Sequence, residues 1–221
     1  MTDKPAAVRA VLFDLDGTFA DTAPDMANAL NLVRHERGLD PVPLAALRPH
    51  VSNGARGMVA GGFNLKPEDA EYAKLREAVL DKYQAKLCVE SRWFDGTEEL
   101  VDALEQRNIA WGIVTNKATY LAAPLLDALA VTKRAACIVC GDTCAYAKPH
   151  PAPLLHAAQL MGIDPSHCLY IGDDERDIIA ANAAGMRGVV AMYGYLGVLE
   201  PPESWPAFAW INSPGEILGL L

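Results

Sequence analysis

The sequence predicts an α/β fold, a doubly wound parallel sheet with an inserted all-helical segment. Three observations predict it. Short, apolar, β-branched-rich runs recur along the chain, helical stretches separate them, and one block from about Pro24 to Leu87 has helical period with no convincing strand. Continuously apolar short runs suit strands covered on both faces. Their alternation with helices implies a parallel sheet with helices on each side.

Taken in order, the strand runs are VRAVLF (8–13), AWGIV (110–114), ACIVC (136–140), CLYI (168–171), GVVAM (188–192) and a weaker FAWI (208–211). Asp95–Asn108 reads as a helix through Leu100, Val101 and Leu104. Pro151–Met161 repeats apolar residues at Leu154, Leu155, Ala158 and Met161, with Gly162 as its stop. Inside the helical block, Pro24–Arg37 is amphipathic through Met26, Leu30 and Val33 and ends at Gly38. Pro67–Leu87 opens with proline at an expected first helical position and repeats at Tyr72, Leu75, Val79, Tyr83 and Leu87.

Bulk properties narrow the function classes. A chain of 221 residues, 51% hydrophobic and 21% charged, suits one globular domain plus a small insert. A net charge of −9 speaks against nucleic acid or an anionic membrane as partner, since either needs a basic face. Arg9 interrupts the first apolar stretch and Asp14 ends it, a poor signal peptide. No apolar run approaches the roughly 20 residues that span a bilayer, and the expected location is cytoplasmic. Cys88, Cys137, Cys140, Cys144 and Cys168 are an odd number, which fits free thiols. CIVC (137–140) has the spacing of half a zinc site, but on a strand that spacing puts the two thiols on opposite faces, so structural thiols are expected.

The chemistry sits where the strands end. In AVLFDLDGT (10–18), Asp14 and Asp16 follow the first strand directly; AWGIVTNK places Thr115 and Asn116 after the second core strand. Lys148 lies in the loop after the third, and GDDERD places Asp173, Asp174 and Asp177 after the fourth. Carboxyl ends of parallel strands share one edge, the crevice in which such sheets bind ligands. Carboxylates crowded there repel one another unless a hard divalent cation with oxygen ligands offsets them, and Mg²⁺ commonly takes one or two carboxylates plus phosphate oxygens. A screened carboxylate beside Lys148 can attack a phosphate, and its neighbour two residues on can protonate the departing alcohol and then activate water.

DLDGT, the strand-end Thr115, Lys148 in KPHP and GDDERD together resemble the four motifs of the haloacid dehalogenase superfamily, and the similarity covers the whole chain. The resemblance implies a Rossmann-like core over 1–18 and 88–221 and a helical cap over 19–87. It implies Asp14 as nucleophile, Asp16 as general acid/base, and Thr115 and Lys148 holding phosphoryl oxygens. Mg²⁺ would be bound by Asp14, the Asp16 main-chain carbonyl and Asp173, with Asp177 ordering its waters or Lys148. The chain most resembles the phosphoglycolate-phosphatase-like group, including N-acetylmuramate 6-phosphate phosphatases. Asp16 favours phosphoryl transfer, because the superfamily's dehalogenases lack an acid/base there.

In the insert, HVSNGARGM (50–58) brings Gly54, Gly57 and Arg56 together. The glycines allow close backbone approach, and an arginine fork suits a substrate carboxylate. Gly54, Arg56 and Asn116 are therefore the expected substrate contacts. Asp174 is read as a helix cap. His150, His156 and His167 are read as surface or structural residues, and Phe19 as a packing change. The expected activity is a Mg²⁺-dependent phosphomonoester hydrolase acting on 2-phosphoglycolate or N-acetylmuramate 6-phosphate. A β-phosphoglucomutase-like phosphomutase of the same fold is the alternative, distinguished by its product. A non-enzymatic module predicts loss of a motif residue, whereas Asp14, Asp16, Thr115, Lys148 and Asp173 are all present.

Overall fold

The computed structural model describes residues 7–197 and 200–221, so residues 1–6, the start of the expected core segment, lie outside it. Among the described residues the elements run β1 Ala10–Phe13, β2 Ala20–Asp21, α1 Ala23–His35, α2 Leu44–Leu47, a 3₁₀ segment Arg48–Asn53, α3 Gly54–Phe63, α4 Tyr72–Ala85 and β3 Arg92–Trp93. They continue with α5 Thr97–Gln106, β4 Ala110–Val114, α6 Thr119–Ala128, β5 Cys137–Val139, α7 Ala152–Met161, β6 Cys168–Gly172, α8 Glu175–Ala183, β7 Arg187–Ala191 and β8 Ala209–Ile211.

The main sheet is parallel throughout, in the order β5-β4-β1-β6-β7-β8. β1 is therefore central, and the chain leaves it toward β4 and β5 on one side before returning toward β6, β7 and β8 on the other. The point of reversal lies at β1, between β4 and β6, which is where such sheets open a crevice. Side chains alternate across the sheet as the pleat requires. Val11, Phe13, Leu169 and Ile171 join the core formed with Leu100, Leu104, Leu125 and Leu126 of α5 and α6. Ala10, Leu12, Cys168 and Tyr170 join the opposite core with Leu154, Ala157, Ala180 and Ala181 of α7 and α8. Cys137 and Cys140 fall in different cores, as the strand spacing predicted, and no disulfide joins the described cysteines.

α1 to α4 bury a core of their own, with Met26, Leu30, Val33, Leu47, Met58, Leu75, Val79 and Tyr83, touched from the sheet side by Leu121 and Tyr195. The chain enters this bundle through β2 and leaves through β3, two short strands that pair antiparallel. The return is fastened by Asp25, whose buried carboxylate accepts hydrogen bonds from the backbone N–H groups of Val89, Glu90 and Ser91 and from the Ser91 hydroxyl.

Most elements differ from expectation by a residue or two at their ends, and the differences at α4, α1 and β1 are informative. α4 begins at Tyr72, not at Pro67, because Pro67 sits in a turn closed by the Asp69 carboxylate on the Lys66 N–H. α1 stops at His35, and Gly38, at φ +70°, makes the left-handed exit. β1 begins at Ala10, two residues inside the expected run. Phe19 is fully buried, stacked on Trp111 at 5.5 Å and edge-on to Phe13 and Trp93, consistent with a packing role. Among the described residues no helix is long and apolar enough to cross a membrane.

Candidate active site

The DLDGT turn sets the site. After β1 the chain reverses at Gly17, whose φ of +87° favours glycine and whose missing Cβ would lie 2.2 Å from an Asp173 oxygen. Asp14 Oδ1 accepts from the Leu15 N–H at 2.7 Å and pairs with Lys148 Nζ at 2.9 Å. Its Oδ2 has no hydrogen-bond partner among the described residues.

Asp173, just past β6, is fully buried and accepts from the Thr18 hydroxyl at 3.0 Å and the Tyr195 N–H at 2.9 Å. Asp177, on α8, pairs with Lys148 at 2.8 Å through Oδ1 and accepts the Asp174 N–H through Oδ2. Asp174 in turn accepts the Arg176 N–H, completing a capping box, so Asp174 is the helix cap that the sequence suggested.

Asp14, Asp173 and Asp177 each offer an oxygen within 4.8 Å of the others. Burial, then the neighbouring Asp14 and Asp177, pushes the Asp173 carboxyl well above the usual range. Burial also pushes Asp177 up to about 6, with Lys148 opposing and Asp14 and Asp174 reinforcing it. An all-oxygen cluster that resists its own charge in this way fits a hard divalent cation, whose charge would oppose both shifts.

Lys148 is wrapped on all sides. Besides the two aspartates, its Nζ donates to the Val114 carbonyl at 3.0 Å and to the Tyr170 hydroxyl at 2.7 Å, and its side chain is 1% exposed. Burial opposes its charge, but Asp14 and Asp177 outweigh burial and hold the ammonium above the ordinary lysine range. Thr115, buried at the end of β4, accepts the Lys117 N–H on its hydroxyl oxygen, which leaves the hydroxyl proton free to donate elsewhere.

Asn116 uses its side-chain amide on the Lys148 backbone, donating to its carbonyl at 2.9 Å and accepting its N–H at 3.0 Å. The side chain expected to contact substrate thus fastens the loop that carries Lys148.

These residues open on a cavity of about 730 Å³ shared with the helical bundle. Asp14, Asp16, Thr115, Asn116 and Lys148 line it from the sheet side, and Gly54, Arg56, Tyr72, Arg76 and Leu80 from α3 and α4. Arg56 is exposed and has no ion-pair partner among the described residues. Gly54 opens on free space, with φ of +57°, whereas a Cβ on Gly57 would meet the His50 carbonyl at 2.0 Å. Gly57 is thus a packing glycine of α3 that also lines the cavity.

Sequence reasoning missed Lys117, Arg176 and Tyr195. Lys117 Nζ lies 2.8 and 2.9 Å from the two Asp16 oxygens. Arg176 lines the cavity and joins Asp174 to the Ser52 carbonyl. The Tyr195 hydroxyl accepts from the Thr22 and Ala23 N–H groups and donates to Asp21. A strand-end lysine two residues after Thr115 was a signal for Lys117; nothing local marks Tyr195.

The haloacid dehalogenase-like hydrolase family model matches residues 8–185. A phosphoglycolate phosphatase of Xanthomonas campestris pv. campestris is 47% identical over 95% of this chain and 94% of its own. An N-acetylmuramic acid 6-phosphate phosphatase of Pseudomonas aeruginosa is 41% identical over 99% of this chain and 96% of its own. Among solved structures, one titled as a predicted phosphoglycolate phosphatase from Haemophilus somnus superposes with a TM-score of 0.83 at 25% identity, covering 96% of this chain and 97% of that one. With its carboxylate cluster at the sheet's crevice and these relatives across almost its whole length, the chain belongs to the haloacid dehalogenase-like hydrolases.

Proposed function

We propose that the protein is a Mg²⁺-dependent phosphomonoester hydrolase working through an aspartyl-phosphate on Asp14, with a small carboxylate-bearing phosphate as substrate. The observation that carries this reading is the division between two aspartates on one turn. Asp14 is pinned by Lys148 and the Leu15 N–H through one oxygen, whereas Asp16 is held apart by Lys117, and both line the same cavity.

Asp14 Oδ2 attacks phosphorus. The bond to the ester oxygen breaks, its electron pair stays on that oxygen, and Asp16 delivers a proton there so that a neutral alcohol leaves. Water then attacks the same phosphorus and gives its proton to Asp16. The phosphorus–oxygen bond to Asp14 breaks, leaving inorganic phosphate and the free carboxylate. The Thr115 hydroxyl donates to a phosphoryl oxygen, and Lys148 holds Asp14 in place through Oδ1. Asp14, Asp173 and the Asp16 main-chain carbonyl would hold Mg²⁺, with Asp177 reaching it directly or through water. When bound, the ion supplies charge that offsets the carboxylates and the phosphoryl oxygens.

In this reading residues 1–18 and 88–221 form the core, residues 19–87 a cap that closes on the substrate, and the enzyme works in the cytoplasm. The unpaired Arg56 faces the leaving group from the cap, where a guanidinium recognises a carboxylate. Both 2-phosphoglycolate and N-acetylmuramate 6-phosphate carry one. The breadth of the cavity and its Tyr72, Leu80 and Val51 walls favour the larger sugar ester.

The test is kcat/KM with Mg²⁺ for the two esters side by side, scored by phosphate release. A preference of about 100-fold or more for the sugar ester, about 2.7 kcal/mol in the transition state, is expected. Feeble turnover of both overturns this view of the cap. Arg56→Ala should raise KM for the preferred ester far more than for an uncharged aryl phosphate.

A further inference from the structure

Two lysines lie buried at the crevice, and the scheme above uses only Lys148. Lys117 points at a single carboxylate: its Nζ is 2.8 and 2.9 Å from the two oxygens of Asp16, and its side chain is 8% exposed. The ring of Tyr83, on α4, covers the ammonium with its centroid 5.0 Å away. Asp16 Oδ1 also accepts the Thr22 hydroxyl at 2.5 Å. Three parts of the chain thus converge on one ion pair: the end of β4 and the entry to α1 on the Asp16 carboxyl, and a helix of the bundle on the Lys117 ammonium.

We propose that Lys117 is a positioning residue for acid–base transfer, fixing the Asp16 carboxyl where the leaving oxygen arrives, beneath a roof supplied by Tyr83. This rests on Asp16 as the general acid/base. Lys117 lines the cavity, but its ammonium is directed along both oxygens of its neighbour. Its loss leaves Asp16 attached through Thr22 alone, free to rotate away from the leaving group. Attack by Asp14 and the hold on the phosphoryl oxygens do not involve Lys117.

The consequence is a dependence on the leaving group. An alkoxide needs a proton as it departs, whereas p-nitrophenolate does not. The experiment measures kcat and KM with Mg²⁺ for wild type, Lys117→Met, Asp16→Asn and the double variant. The substrates are p-nitrophenyl phosphate and whichever carboxylate ester turns over faster.

Lys117→Met is expected to lower kcat on the alkyl ester by about 100-fold, within the range for a lost proton transfer, and on the aryl ester by less than about tenfold. Asp16→Asn should show the same split, and the double variant should add little to Asp16→Asn alone, as coupled groups do. Lys117→Gln, which keeps a donor, should recover part of the loss; should Lys117→Met fail to fold, it carries the same comparison.

Equal losses on both esters would overturn the proposal in favour of a binding or structural role. A split for Asp16→Asn but not for Lys117→Met would overturn it and leave the proposed function standing. No split for Asp16→Asn would overturn both.

Discussion

Replacing Asp173 by asparagine separates the electrostatic role of the carboxylate cluster from its role in packing. Asp173 accepts from Thr18 and from the Tyr195 N–H. Asparagine can keep both contacts by turning its oxygen to Tyr195 and its amide to the Thr18 oxygen, since a hydroxyl rotates freely between donor and acceptor. What changes is charge. At the 4.8 Å that bounds the cluster, two unit charges at an effective dielectric of 20 repel by about 3 kcal/mol. Burial already keeps the Asp173 carboxyl well above the usual range, so the metal-free protein gains only part of that relief.

The metal-free variant should therefore be at least as stable as wild type. With Mg²⁺ at about 100 times its dissociation constant, wild type should gain about 2.7 kcal/mol, a rise in Tm of about 5–11 °C for a chain of this size. Asp173→Asn should lose that rise, along with phosphate release. The assay is thermal unfolding in EDTA and in MgCl₂. A variant that melts well below wild type in EDTA yet keeps the full Mg²⁺ response would refute the reasoning.

Other consequences can be checked in parallel. Gly17→Ala drives a Cβ to 2.2 Å from Asp173 and 2.8 Å from Tyr195 at φ +87°; kcat/KM should fall about 100-fold from misplaced ligands. Gly38→Ala, also at positive φ but in open space, should cost stability alone. Arg48→Ala removes a two-pronged bond to Asp21 at 3.1 and 2.8 Å and a stack on Tyr195. With Arg48 one-third exposed, a loss of about 1–2 kcal/mol is expected, measurable by urea unfolding.

Asp177 titrates at about 6 when folded against an ordinary 3.8, so the folded protein binds that proton more tightly than the unfolded chain does. Its contribution to metal-free stability is full below about pH 4 and lost as pH rises through 6. Unfolding midpoints in EDTA should fall from pH 5 to 7 more in wild type than in Asp177→Asn.

The sheet and most of the site were legible because both follow from local pattern. AWGIV is β4 residue for residue, and the polar residues that end the strands are those the crevice gathers. The stretch from 44 to 63 was not legible as helix. GARGMVAGGF carries four glycines, a poor prior for a helix. It becomes α3 because its glycines admit neighbours, the His50 carbonyl against Gly57 and Leu30 against Gly62, contacts that only the folded chain supplies. β2 and β3 are two residues each, too short for any period to show. Lys117 was visible as a strand-end lysine, but its partner Asp16 is 101 residues away. Asn116 was placed by its proximity to Thr115, whereas its amide is committed to the Lys148 backbone.

The central claim is that Asp14 forms a bond to phosphorus. Asp14→Asn keeps the shape of the side chain and an acceptor for the Leu15 N–H while removing the attacking carboxylate. Phosphate release from the preferred ester with Mg²⁺ should drop to background, with the circular dichroism spectrum unchanged. Turnover within about tenfold of wild type, a barrier change of only about 1.4 kcal/mol, would contradict the account.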